Sequence, residues 1–146
     1  MKRFEFNNKT KIDLAGTIVE LKTDMATIDR GIEFGRYMQK KANEIIEVGK
    51  SIKKLSDEEQ LKKLDEYNKS LCNDCYKFID EVTEQGTSEK IFKDRKDDMY
   101  DCVEIITFLI DALNEHRTEK INKQSAKYNP NRAERRSNNN NKKKRH

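Results

Sequence analysis

The residues whose types could do chemistry are three cysteines, two histidines and a cluster of aspartates. Cys72-Asn73-Asp74-Cys75 has the CxxC spacing used by zinc knuckles and disulfide oxidoreductases. A zinc site needs two more ligands, and the candidates are Cys102 and His116. A knuckle holds its ligands on a tight turn, whereas this CxxC falls inside a helical pattern. A redox motif needs a βαβ context, which is missing. The thiols therefore read as core groups. An odd number of cysteines implies no disulfide framework. His116 has no Ser, Cys or second His at a motif spacing, so it reads as a charge placed near a helix C-terminus. Asp94, Asp97, Asp98 and Asp101 lack the Gly and terminal Glu of a calcium-binding loop and read as helix caps in a solvated connector. No glycine-rich phosphate loop is present. No catalytic set, metal or cofactor is expected, and the chain reads as a non-enzyme.

The elements that would carry these residues follow from periodicity. Residues 1–23 read as β-rich. Phe4 and Phe6 alternate with Glu5, Ile12 and Leu14 with Asp13, and Ile18, Val19 and Leu21 form a third patch. Asn7-Asn8 and Ala15-Gly16 are turn sites. This predicts a short hairpin or a small meander that leans on helices, because an isolated hairpin is marginal in water. Helical spacing takes over at Thr23 or Asp24, either of which can cap a helix. The first stripe includes Met25, Ile28, Ile32, Met38, Ala42, Ile45, Ile52 and Leu55, with Gly35 and Gly49 in line. Those glycines imply a close helix contact or a bend, and Ile32-Glu33-Phe34-Gly35 is a place where the segment could split. Ser56-Asp57-Glu58-Glu59 is a capping box. It starts a seam of Leu61, Leu64, Asn68, Leu71, Cys75, Phe78 and Val82, whose 3,4 spacing is that of a helix packed at a shallow angle on another. Gly86 is expected at its C-cap. One helical turn anchored by Ile91 and Phe92 comes next. The last helix starts after Asp97 or Asp98 and runs through Met99, Cys102, Val103, Ile106, Leu109, Ile110 and Leu113. It is the most apolar helix and is expected to be the most buried. Its pattern is lost after Gln124.

The fold class is therefore α+β and mostly α: an N-terminal hairpin or meander, a bundle of three or four helices, and a disordered basic tail. Residues 1–23 and 24–124 form one domain, and 125–146 form the tail. With 146 residues, 40% of them charged, there is room for one domain and little space for a deep pocket. Leu, Ile, Val and Phe number 31, and none lies beyond Ile121. No apolar run is long enough for a bilayer, and the first residues do not resemble a signal peptide. A cytoplasmic protein without a membrane partner is expected.

Charge is distributed unevenly. Residues 126–146 hold eight Lys or Arg against Glu134 alone, a net +7, so a chain of +4 leaves −3 on the preceding 125 residues. The candidate partner-binding residues are Tyr128, Arg132, Arg135, Arg136, Lys142, Lys143, Lys144 and Arg145. Lys and Arg here can bind phosphate without base specificity, and Tyr128 alone offers a stacking surface. Equally, the tail can dock a protein or keep a complex in solution. No helix-turn-helix with a basic recognition helix accompanies it.

Three stretches resemble one family. They are Lys11-Ile12-Asp13-Leu14-Ala15-Gly16; Phe78-Ile79-Asp80-Glu81-Val82 through Gly86 to Lys90-Ile91-Phe92; and Lys127-Tyr128-Asn129-Pro130-Asn131-Arg132-Ala133-Glu134-Arg135-Arg136. In this order they look like the phage tail assembly chaperones, small proteins encoded just before the tape measure protein in phages of Gram-positive hosts. The resemblance implies a non-enzymatic factor of the bacterial host cytoplasm. It would coat the tape measure protein until tail tube subunits replace it, and would be absent from the mature virion. The tail would reach the tape measure or the tube subunits. Two other readings stand beside it. One is a small nucleic-acid-binding protein acting through the tail, and the other a self-assembling helical scaffold acting through the seam.

Overall fold

The computed structural model describes residues 1–128. Strands β1 (Lys9–Leu14) and β2 (Thr17–Lys22) pair antiparallel with Ile12 opposite Val19. Ala15 and Gly16 both take positive φ, 52° and 92°, as a two-residue hairpin turn requires. The Gly16 N–H donates to the Asp13 carboxylate at 2.7 Å. Alternation then puts Leu14, Val19 and Leu21 on the buried face. The element is a hairpin and not a meander. Asn7-Asn8 does not turn the chain back; Thr23 N–H donates to the Asn8 carbonyl at 2.6 Å, prolonging the ladder. Phe4 and Phe6 thus form no third strand and lie exposed.

Helix α1 spans Met25–Ser51 without a break. Asp24 holds the N-cap position, but its carboxylate accepts the Thr27 hydroxyl and no backbone N–H, which lowers its pKa. The expected split at Ile32-Glu33-Phe34-Gly35 does not occur. Phe34 points inward and stacks on Phe78, with centroids 4.3 Å apart and planes 7° apart. That contact favours continuing the helix over the cost of Gly35. A 3-10 turn, Ile52–Lys54, leads to α2 (Asp57–Val82), whose Glu59 N–H donates to Ser56 Oγ at 3.3 Å.

Helix α2 ends at Val82, four residues before Gly86. The Thr83 hydroxyl donates back to the Ile79 carbonyl at 2.6 Å as the chain leaves the helix. Gly86, at φ +92°, instead precedes the short α3 (Thr87–Ile91), with Phe92 buried behind it. Helix α4 runs Met99–Tyr128, past the expected stop at Gln124, so residues 125–128 belong to the helix and not to the tail. Its N-cap is Asp98, whose carboxylate accepts the N–H groups of Tyr100 (3.0 Å) and Asp101 (3.2 Å).

Helices α1 and α2 are antiparallel, tied by the Tyr37 hydroxyl to Asp74 and by the Tyr67 hydroxyl to the Lys41 carbonyl at 2.9 Å. Helix α4 lies against both. Gly31 and Gly35 of α1 face Leu113 and Ile110, while Cys72 and Cys75 of α2 meet Cys102. Helix α2, not α4, supplies the largest share of the core: Leu71, Cys72, Cys75, Phe78, Ile79 and Val82 are buried. Helix α4 has apolar residues on more than one face but packs through one, leaving Val103 and Phe108 exposed.

Candidate functional site

The three cysteines lie in the core and are free thiols. Burial pushes the Cys72 thiol up to about 12, and a hydrogen bond with Cys75 together with burial raises that of Cys102. Metal ligands and redox nucleophiles must be thiolates, and this environment opposes ionisation. Among the described residues no group of three His, Cys, Asp or Glu is placed to hold a metal. His116 is about three turns before the end of α4, not at its C-terminus, and lies 3.8 Å from Glu119. The aspartate cluster is structural. Asp98 caps α4, and Asp101 takes Arg95 at 3.1 Å. Asp97, at φ +60°, gives its N–H to the Tyr76 hydroxyl at 2.8 Å and accepts Asn68 Nδ2 at 2.7 Å on its carbonyl.

That last contact sets the geometry of a more promising surface. It places the start of α4 level with Asn68, so the first three turns or so of α2 extend beyond α4. The facing end of α1 extends with them, and Ile52, in the turn that joins the two helices, is buried. Among the described residues the α2 seam therefore has no third helix to pack on beyond Asn68. Leu61 is 69% exposed and Leu64 45%, against the buried Leu71, Cys75, Phe78 and Val82 of the same stripe. On α1, Ile46 is 59% exposed. Helical spacing puts it in line with Gly35 and Gly31, which meet α4 further along. The two overhanging helices thus leave apolar side chains exposed along the line where α4, if it began earlier, would lie. Covering these three side chains would contribute about 3–5 kcal/mol.

The seam predicted Leu61 and Leu64 as core residues; the structure leaves them at the surface. Ile46 was not singled out from the sequence, and its doublet with Ile45 is the one signal it carries. The second resembling stretch forms a buried corner. Phe78 and Ile79 are core, and the Asp80 carboxylate accepts the Ser88 N–H at 2.9 Å, fastening α3 to α2. Of the tail candidates, Tyr128 is the exposed last residue of α4, with the Lys127 ammonium 5.9 Å from its ring centroid. Arg132, Arg135, Arg136, Lys142, Lys143, Lys144 and Arg145 lie outside the described residues. No helix among the described residues is long and apolar enough to cross a membrane.

No curated protein and no solved structure matches the chain. A family model does match, over residues 19–139, from β2 through α4 and on into the basic segment. The chain belongs to that family, DUF6673, a family of unknown function.

Proposed function

We propose that this protein is a phage tail assembly chaperone that binds the tape measure protein and keeps it soluble while the tail tube assembles. The observation that carries the reading is the exposure of Ile46, Leu61 and Leu64 where α1 and α2 overhang α4, along the line of the core seam; a helix seated there would make the overhang a groove. A tape measure protein is a long amphipathic helix whose apolar stripe would aggregate if bare. A helix laid there would be the third member of a bundle, packed as α4 is packed further along. With 40% of the chain charged, the outer face of such a complex would remain hydrated. The order of the three resembling stretches supports the same reading. Binding would be reversible, because a short overhang supplies few contacts, and tube subunits with a larger interface would displace the chaperone.

Co-expression with the neighbouring long helical protein tests this. A soluble complex is expected with the full chain and is lost with Leu61→Glu/Leu64→Glu. Both leucines are exposed, so the variant folds. An insoluble partner in the presence of the full chain, or a complex indifferent to the double variant, would refute the reading. The net +7 of residues 126–146 favours a second reading, nucleic-acid binding. It predicts nuclease-sensitive co-purification that disappears with those residues.

A further inference from the structure

Where α3 meets α2 the surface opens into a cavity of about 470 Å³. Tyr76 and Phe92 form one wall, their ring centroids 5.1 Å apart at 51°. Lys90, Lys93 and Lys96 line the cavity with one carboxylate, Glu89. Among the described residues none of the three ammonium groups has a carboxylate within 4.0 Å. Three unpaired cations gathered at one opening are unexpected on a body whose first 125 residues carry −3.

Ser88 is the second observation. It is 7% exposed and lines the cavity. Its N–H is committed to Asp80 and its carbonyl to the Phe92 N–H at 3.0 Å. Its hydroxyl has no hydrogen-bond partner among the described residues. Every side-chain polar atom sealed from solvent in those residues does have one, so the Ser88 hydroxyl must open into the cavity. The backbone that holds it is braced by the Thr87 hydroxyl on the Glu84 carbonyl at 2.9 Å. A fixed O–H donor, mobile ammonium donors and an apolar wall suit an anion attached to an apolar body.

We infer that this cavity is a docking site for an acidic peptide segment of a partner, taking an Asp or Glu carboxylate at Ser88 and the lysines and an adjacent apolar side chain against Tyr76 and Phe92. A nucleic acid fits less well. Phe92 is buried and Tyr76 half-buried, so little ring surface is open: enough for contact with an apolar side chain, and not the free platform on which successive bases stack. One cavity on an acidic body also cannot track a polyanionic backbone. The site shares no residue with the α1–α2 tip, so it stands or falls apart from the chaperone reading.

The test is an NMR titration of the full chain with the heptapeptide Gly-Ser-Glu-Phe-Glu-Ser-Gly and its Gln counterpart. The acidic peptide should shift the amides of Tyr76 and of residues 88–92 and saturate near or below about 1 mM. The Gln peptide should bind about tenfold more weakly. Lys93→Glu/Lys96→Glu should weaken the acidic peptide at least tenfold, and Ser88→Ala several-fold, with the remaining spectrum unchanged. Equal binding of the two peptides would overturn the inference. So would shifts centred elsewhere, no saturation by several millimolar, or indifference to the lysine variant. Preferential binding of oligothymidylate at the same amides would replace the peptide with a nucleic acid and overturn it too.

Discussion

Replacing Gly31 with alanine tests how closely α1 and α4 approach. A Cβ built at Gly31 would sit 2.8 Å from Leu113 Cδ1, and Leu113 is buried. At Gly35, one turn on, the nearest atom would be Ile110 Cδ1 at 3.6 Å, an ordinary contact. At Gly49 nothing lies within 4 Å. None of the three has a positive φ, so alanine fits the backbone at each. Gly35→Ala should therefore return most of the helix-propensity difference, about 0.8–1 kcal/mol. Gly49→Ala, in the last turn, should return a smaller part. Gly31→Ala gains the same propensity but forces the Leu113 methyl against its packed neighbours, which costs about 1–3 kcal/mol. It should be between neutral and about 2 kcal/mol destabilising, and about 1–3 kcal/mol less stable than Gly35→Ala. Urea unfolding followed by helical circular dichroism reads this as a shift in midpoint at constant slope. If Gly31→Ala stabilised the protein as much as Gly35→Ala, the close contact and the helix pairing built on it would be refuted.

Other outcomes follow from the same contacts. Leu71→Ala, in the buried part of the α2 seam, should cost about 2–5 kcal/mol, whereas Leu64→Ala, in the overhang, should cost less than about 1 kcal/mol. Equal costs in urea melts would mean that the tip is filled. Asp98→Ala removes two backbone acceptor contacts and should cost about 1 kcal/mol, more than Ser56→Ala, where the single bond is 3.3 Å. Thermal melts of the two variants should rank accordingly. Burial pushes the Cys72 thiol and the Tyr76 hydroxyl up to about 12. These groups are neutral in both states below about pH 7.5. Above that the unfolded chain loses protons that the folded chain keeps, so stability should fall as pH rises from about 9 towards 12. Flat stability over that range would contradict their burial. A thiol reagent at pH 8 should label the folded chain slowly and label Cys72, Cys75 and Cys102 promptly in urea, since all three are buried.

Much of the fold was legible in the residues. Ser56 and Asp98 act locally, through a side-chain oxygen and N–H groups two or three positions away, so their capping could be read directly. The Ala15-Gly16 turn and the period-2 pattern of Ile12 and Leu14 were equally local. Legibility ended where a contact had to come from a distant part of the chain. Phe4 and Phe6 alternate like strand residues, but alternation supplies no strand to pair with. Gly35 and Gly49 stood out for their place in the stripe, yet the tight approach is at Gly31, because only the register of α1 on α4 sets which glycine meets Leu113.

The candidate site divides in the same way. The sequence by itself determined a hairpin or small meander, three or four helices, a heptad seam and a strongly basic segment, since composition, periodicity and capping depend on near neighbours. Only the tertiary structure decided which part of the seam is core. The stripe from Leu61 to Val82 is uniform in spacing, but Asn68 and Tyr76 hold Asp97 and so fix where α4 begins. Below that level no helix of the described residues covers Leu61 and Leu64; above it Leu71, Cys75, Phe78 and Val82 are sealed. Ser88 behaves likewise: nothing in Thr87-Ser88-Glu89 marks a hydroxyl opening beside three lysines until α3 folds onto α2. Burial is a property of where helices end relative to one another, and periodicity along one helix does not contain it.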